Sequence, residues 1–212
     1  MDIGEVRGAL VNLFYPNSCV VCGEIIGHGC VCPECRGKVE SEIVSCGTSD
    51  EGIMYVVPYN SNEVKRLVLA MKDENNPNLF DYVAGLCAEN LRNRLSDSGK
   101  YRVTYLPRRL SNRLAAGLDQ SHVLAGHIAR ELSLPFEATL NRRLFTLEQK
   151  KLSGEQRRAN VAGIFSAKRE WTGESFILID DITTTGSSLL SAQGALYKAG
   201  AAEVVPFAFA KR

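Results

Sequence analysis

No stretch of this chain approaches the roughly 20 consecutive apolar residues that a membrane span requires, so no transmembrane helix is expected. Net charge is lacking too: 25 Lys and Arg stand against 24 Asp and Glu, a formal +1. Overall charge therefore gives no reason to expect nucleic acid, and an anion site has to come from local clusters. The opening residues Met1-Asp2-Ile3-Gly4-Glu5 carry acids and no basic segment. A secretory signal is not expected, and the cytoplasm is the expected compartment. Internal repeats and low-complexity tracts are absent, which excludes a repeat array. What remains is ordinary globular material: 45% hydrophobic and 23% charged residues,. The 212 residues suffice for one α/β domain with a small appendage,.

The most informative stretch is Phe176-Ile177-Leu178-Ile179-Asp180-Asp181-Ile182-Thr183-Thr184-Thr185-Gly186-Ser187-Ser188. Four apolar residues predict a buried parallel strand, ended by two carboxylates. A hydroxyl-rich loop follows, and Leu189 to Lys198 reads as a helix. Open α/β sheets bind ligands at the carboxyl ends of their strands. The N–H groups and dipole at a helix N-terminus favour an anion there. Thr183, Thr184, Thr185, Ser187 and Ser188 add hydroxyls, and Gly186 permits a sharp turn or close backbone approach. Two acids beside this cradle would repel a bare phosphate, so the ligand must also offer hydroxyls or a metal ion. A sugar phosphate offers both. An ordinary strand end with a helix cap needs one hydroxyl and explains neither acid. The run resembles the phosphoribosyl-pyrophosphate (PRPP) motif of type I phosphoribosyltransferases.

Seven cysteines occupy positions 19, 22, 30, 32, 35, 46 and 87, six of them within residues 19–46. In a reducing compartment this clustering argues for metal rather than disulfides. Cys19-Val20-Val21-Cys22 and Cys32-Pro33-Glu34-Cys35 are two knuckles separated by nine residues. Together they supply the tetrahedral sulfur set that Zn²⁺ prefers. Gly23, Gly27 and Gly29 allow the short connection. Cys30, Cys46 and His28 are spare candidates. Four protein ligands leave no open position, so the zinc is expected to be structural. Unrelated buried cysteines are the alternative.

The remaining chain alternates strand and helix. Residues 3–14 read as a packing helix stopped by Pro16, and 47–52 as a turn-rich linker. Strands are expected at Ile53–Tyr59, Arg102–Leu106, Phe136–Leu140 and Glu203–Ala210. Helices are expected at Glu63–Met71, Leu79–Leu95 and Leu118–Leu132. Cys87 falls at a core position of the second of these helices. The alternation predicts an α/β fold: a mostly parallel sheet with flanking helices on both faces. Pro107-Arg108-Arg109 and Arg113 form a basic patch at a strand's carboxyl end; a solvated loop is the plain alternative. Residues 142–158 carry Arg142, Arg143, Lys150, Lys151, Arg157 and Arg158 against Glu148 and Glu155. This basic, aperiodic segment suits a lid over an anionic ligand, a solvated surface or a nucleic-acid contact.

Over nearly its whole length the chain resembles the ComF family of bacterial competence proteins. The residues that carry the resemblance are the two Cys pairs, Lys72, Pro107-Arg108-Arg109 and Gly117-Leu118-Asp119-Gln120. Arg142, Thr146, Gln149, Leu152-Ser153, Arg157, Asn160-Val161, the acidic-pair loop and Ala199-Gly200-Ala201 complete it. The resemblance implies a zinc-finger module (residues 1–46) followed by a type I phosphoribosyltransferase, Rossmann-like domain (53–212). It implies that Asp180 and Asp181, the catalytic candidates, hold the ribose 2′- and 3′-hydroxyls. Thr184, Thr185, Gly186, Ser187 and Ser188 would bind the 5′-phosphate, with Thr183 in the same loop. Pro107, Arg108 and Arg109 would receive pyrophosphate with Lys72, and Mg²⁺ would bridge pyrophosphate and ribose. Arg142, Gln149 and Arg157 would belong to the catalytic loop. Ala115-Ala116 and Asp119 depart from the family's usual Arg and Asn.

Three functions compete. The first is a PRPP-binding protein acting in DNA uptake at the cytoplasmic side, handling single-stranded DNA and meeting the uptake machinery. The second is an enzyme transferring ribose 5-phosphate from PRPP to a nitrogen acceptor. The third is an inactive scaffold whose zinc module contacts a partner. Fold alone does not choose among them.

Overall fold

The computed structural model describes residues 17–44, 47–73, 76–95, 98–108, 119–143 and 164–212. Its elements are α1 (Pro33–Ser41), β1 (Met54–Pro58), α2 (Asn62–Asp73), α3 (Pro77–Arg94) and β2 (Tyr101–Tyr105). Next come α4 (Gln120–Leu132), β3 (Leu140–Arg142), β4 (Phe165–Ala167), β5 (Ser175–Thr183), α5 (Ser187–Lys198) and β6 (Glu203–Lys211). The expected helix at 3–14 lies outside the described residues.

Four strands form a parallel sheet in the order β1-β6-β5-β2. β5 is central because its run Phe176-Ile177-Leu178-Ile179 has no side to show to water; all four residues are 0% exposed. Each such side chain contributes about 1.5–3 kcal/mol by leaving water. On one face, Ile177 and Ile179 pack with Val64, Leu67 and Met71 of α2, Leu79 and Val83 of α3, and Leu124 and Ile128 of α4. On the other, Phe176 and Leu178 pack with Trp171 and with Leu189, Ala192 and Leu196 of α5. This is the expected parallel sheet with flanking helices.

Helix starts follow the sequence. The Ser61 hydroxyl accepts the Val64 N–H at 3.2 Å. Asn76 accepts the Asn78 N–H at 3.1 Å, and Pro77 stands in the first turn, where a missing N–H costs nothing,. Cys87 is a core residue of α3, as expected; burial pushes its thiol pKa up.

Three expectations need correction. The strand expected at Phe136–Leu140 is a single parallel bridge, Phe136 to Val103, followed by β3 at Leu140–Arg142. At Thr139 the ladder ends: its N–H goes to the Thr104 side chain at 3.4 Å in place of a β2 carbonyl, and its own carbonyl accepts from the Lys168 N–H beyond β4 at 2.9 Å. β3 instead pairs antiparallel with β4, a strand the sequence reading missed. Arg142 therefore lies in a strand rather than in a loop, while 144–158 lie outside the described residues. Finally, β5 does not end at the acids. It stays paired with β6 to Thr183, opposite Lys211.

The cysteine segment shares the core of the α2–α4 face, through Cys19, Val21, Val31, Cys35 and Val39. Arg66 of α2 donates to the Val21 carbonyl at 2.7 Å, and Asn90 of α3 to the Val44 carbonyl at 3.3 Å.

Candidate sugar-phosphate site and cysteine cluster

β2 leads through α4 to the Phe136 bridge on its outer side, whereas β5 leads through α5 to β6 on the opposite side. The strand order reverses between β2 and β5, and a crevice opens at such a reversal. The last links between these strands are the Tyr105–Ile179 pairing and the Leu106 N–H to Ile179 carbonyl bond, at 2.9 Å. Immediately beyond, Pro107-Arg108 follows β2 while Asp180-Asp181 continues β5, and the two predicted clusters meet at the carboxyl ends of these strands.

The two acids have different surroundings. Asp181 is 3% exposed, and its Oδ2 receives the Arg108 guanidinium at 2.9 Å. Asp180 Oδ1 accepts from the Ser121 hydroxyl at 2.8 Å and from the Asp181 N–H at 3.0 Å. Burial, and then the adjacent Asp181 charge, raise the Asp180 pKa well above the usual carboxylate value. The Ser121 and Asp181 donors oppose that rise. The Arg108 N–H donates to Asp119 Oδ2 at 3.3 Å. Lys72 enters through its carbonyl, which accepts from Gln120 Nε2 at 3.2 Å. Arg142 Nη1 donates to the Pro107 carbonyl at 3.1 Å, and the guanidinium lies 5.1 Å from the Phe165 ring centre. Arg109, Gln149 and Arg157 lie outside the described residues.

Thr184-Thr185-Gly186 forms the turn from β5 into α5. Gly186 has φ +71°, and a Cβ there would sit 2.0 Å from Ile53 Cδ1, so the turn requires glycine,. No side chain caps α5, which leaves first-turn N–H groups for an anion,. The Thr185 and Ser187 hydroxyls are 2.8 Å apart, Thr184 is exposed and Thr183 is buried. The Lys211 ammonium donates to the Thr184 carbonyl, and the Arg212 N–H donates to the Thr183 carbonyl at 2.9 Å. Sequence reasoning missed Ser121 and Lys211. Ser121 follows the Asp119-Gln120 pair and could have been weighed with it. Lys211 carries no local signal, because only the β5–β6 register brings it to Thr184.

No protein-family model matches the chain. A curated relative, Competence protein F of Haemophilus influenzae, is 31% identical over 99 residues, which is 45% of this chain and 43% of that protein. The resemblance to a competence protein is borne out over those 99 residues. The chain matches less than half the length of this relative. Among solved structures, glutamine PRPP amidotransferase from B. subtilis is 20% identical over 65% of this chain and 29% of that one, with a TM-score of 0.45. Adenine phosphoribosyltransferase from Leishmania tarentolae is 16% identical over 70% of this chain and 75% of that one, with a TM-score of 0.41. These are loose likenesses, and no substrate follows from them.

The second feature of the chain is the cysteine cluster. The sulfurs of Cys19, Cys22, Cys32 and Cys35 all lie within 4.8 Å of one another. A tetrahedral zinc with Zn–S bonds of about 2.3 Å sets its sulfurs about 3.8 Å apart. The Cys22–Cys32 separation is 3.8 Å, so the set could hold such an ion. The knuckles are stiffened by N–H donors: Cys32 N–H to Cys19 Sγ at 3.3 Å and Cys35 N–H to Cys32 Sγ at 3.4 Å. Burial resists ionisation of Cys19, but backbone donors from Cys32, Cys22 and Val21 prevail and bring its pKa to about 7. Burial and the neighbouring thiols push Cys35 the other way. Cys30 is not part of the group; its thiol donates to the Asn78 carbonyl at 3.3 Å. His28 is exposed, and Cys46 lies outside the described residues.

Proposed function

We propose that this chain binds PRPP, or a related ribose 5-phosphate ligand, and serves DNA uptake at the cytoplasmic side. One observation carries the reading. Two adjacent carboxylates stand in the last four residues of β5, which then leads into a glycine-turned hydroxyl loop and a helix N-terminus without a side-chain cap. The acids suit vicinal hydroxyls and the loop suits a phosphate, and a sugar phosphate carries both groups. Asp180 and Asp181 are assigned to the ribose hydroxyls and Thr183 to Ser188 to the 5′-phosphate. Pro107, Arg108, Arg109 and Lys72 are assigned to pyrophosphate, Gln149 and Arg157 to the catalytic loop, and Arg142 to the support of Pro107 from β3. Mg²⁺ bound with PRPP would neutralise the pyrophosphate between these groups. Cys19, Cys22, Cys32 and Cys35 are assigned to a structural Zn²⁺.

The role in uptake, with single-stranded DNA and the uptake machinery as partners, rests on the ComF resemblance. No helix among the described residues is long and apolar enough to cross a membrane. The division into a module (1–46) and a domain (53–212) remains part of the proposal, with the two sharing one core face. A second reading, transfer of ribose 5-phosphate to a nitrogen acceptor, is favoured by Arg108. Its guanidinium stands beside Asp181, where it could stabilise departing pyrophosphate,.

Thermal unfolding with Mg²⁺ and PRPP tests the binding claim. At 100 times Kd a native-state ligand adds about 2.7 kcal/mol, a rise of roughly 5–10 °C for a chain of this size. No rise at millimolar PRPP, with metal bound and the chain folded, would remove the reading. Pyrophosphate release with candidate bases would favour the enzyme.

A further inference from the structure

Three consecutive residues at the start of α4 each bind a different part of the candidate site. Asp119 takes the Arg108 N–H, Gln120 donates to the Lys72 carbonyl, and Ser121 donates to Asp180 Oδ1. Gln120 and Ser121 are both 0% exposed, so neither bond is exchanged freely with water. From this arrangement we infer that Ser121 is a positioning residue: its hydroxyl fixes the rotation of the Asp180 carboxylate for a hydroxyl-bearing ligand. The inference deepens the sugar-phosphate reading and, for its ligand arm, rests on it.

The argument is geometric. Asp180 Oδ1 receives two donors, the Ser121 hydroxyl at 2.8 Å and the Asp181 N–H at 3.0 Å. Two donors on Oδ1 limit the rotation of the carboxylate and so fix the direction in which its other oxygen points. The bond comes from a helix, not a loop. That helix is held by Leu124, Ala125 and Ile128 in the core and by its two flanking tethers. Electrostatics agree. Burial and the Asp181 charge push Asp180 towards its neutral form, and the Ser121 hydroxyl favours the charged form. Among the described residues, the charged groups that the contacts place by it are Asp181 next to it, Arg108 on Asp181, and Asp119 on the Arg108 N–H. Arg108 is engaged by Asp181 rather than by Asp180.

The test uses the full, metal-bound chain with Ser121→Ala and Ser121→Thr. Two readouts are taken: Mg·PRPP and inorganic phosphate affinity by calorimetry from pH 5 to 9, and the Asp180 titration by NMR of labelled aspartate carboxyls without ligand. In Ser121→Ala the Asp180 titration should move to higher pH. PRPP affinity at neutral pH should fall about tenfold, the loss expected for one hydrogen bond to a charged group. Its acidic fall-off should begin at higher pH, while phosphate affinity stays unchanged. Ser121→Thr restores the hydroxyl and should restore both readouts; if the alanine variant is poorly folded, Ser121→Cys, nearly the same size with a much weaker donor, takes its place and should show the same shifts. Unchanged titration and PRPP affinity in a folded Ser121→Ala would overturn the inference. If wild type ignores PRPP, the functional reading fails, and the carboxyl titration alone still judges Ser121.

Discussion

The Arg108–Asp181 ion pair is the most exacting structural test of the crevice. The Asp181 side chain is 5% exposed and that of Arg108 22%, with 2.9 Å between nitrogen and oxygen. Arg108→Met removes the cation and keeps most of the apolar stem. It leaves Asp181 buried, unpaired and next to another carboxylate. Breaking a fully buried pair in this way costs about 3–5 kcal/mol. The partial exposure of Arg108 lowers that to about 2–4 kcal/mol, because water can still reach part of the site. For a chain of this length the melting temperature should fall by roughly 4–16 °C. Adding Asp181→Asn removes the stranded charge, so the double variant should regain much of the loss, with a coupling of about 1–3 kcal/mol. Urea unfolding at neutral pH of wild type, both single variants and the double variant measures all four corners of the cycle. Additive effects, or an Arg108→Met variant within about 0.5 kcal/mol of wild type, would refute the pairing and the closeness of loop and strand end.

Other outcomes follow from the same geometry. The unfolded chain ionises Asp180 near pH 3.9, earlier than the folded chain does, so folding loses stability as pH rises from there to the folded pKa,. Asp180→Asn should therefore raise the melting temperature at pH 7 and lose that advantage near pH 3; a lower melting temperature at pH 7 would contradict the burial of its charge. Gly186→Ala should lose about 1–2 kcal/mol from the left-handed backbone, plus the displacement of Ile53, and should weaken phosphate and PRPP alike,. Neutral behaviour in denaturant would mean the turn is not held as described. Metal analysis should find about one zinc per chain, lost in Cys22→Ser and kept in Cys30→Ser, whose thiol serves Asn78 instead,. Equal zinc in both variants would mean a different ligand set.

Much of this molecule is legible in its sequence because local chemistry decided it. The run 176–179 could only be a doubly covered strand, and the two Cys pairs meet as their spacing implied. What failed did so where tertiary contacts outweigh local pattern. Residues 136–140 have strand-like composition, but after one bridge the Thr139 carbonyl is taken by the Lys168 N–H and the chain goes on to pair with β4 instead. Phe165–Ala167 is too short to signal a strand and exists only because Leu140–Arg142 lies opposite. β5 runs on through its acids because β6 supplies a partner as far as Lys211, a register no single segment encodes. The candidate site divides in the same way. Asp180, Asp181, Gly186 and Arg108 are readable as motifs. Ser121 and Lys211 are ordinary residues until the fold places them beside Asp180 and Thr184.

The measurement that bears most directly on the sugar-phosphate reading compares two ligands in one variant. Asp180→Asn/Asp181→Asn keeps side-chain size and removes two negative charges. Mg·PRPP should bind it about ten- to a hundredfold more weakly than wild type, since charge-assisted bonds to the ribose hydroxyls are lost. Inorganic phosphate uses only the loop and the start of α5, and should bind equally well or better once the nearby acids are neutral. Calorimetry with both ligands, on protein whose unfolding matches or exceeds wild type in stability, separates this pattern from general damage. If the double variant binds Mg·PRPP as tightly as wild type, the acids do not hold ribose and the loop is a generic anion site.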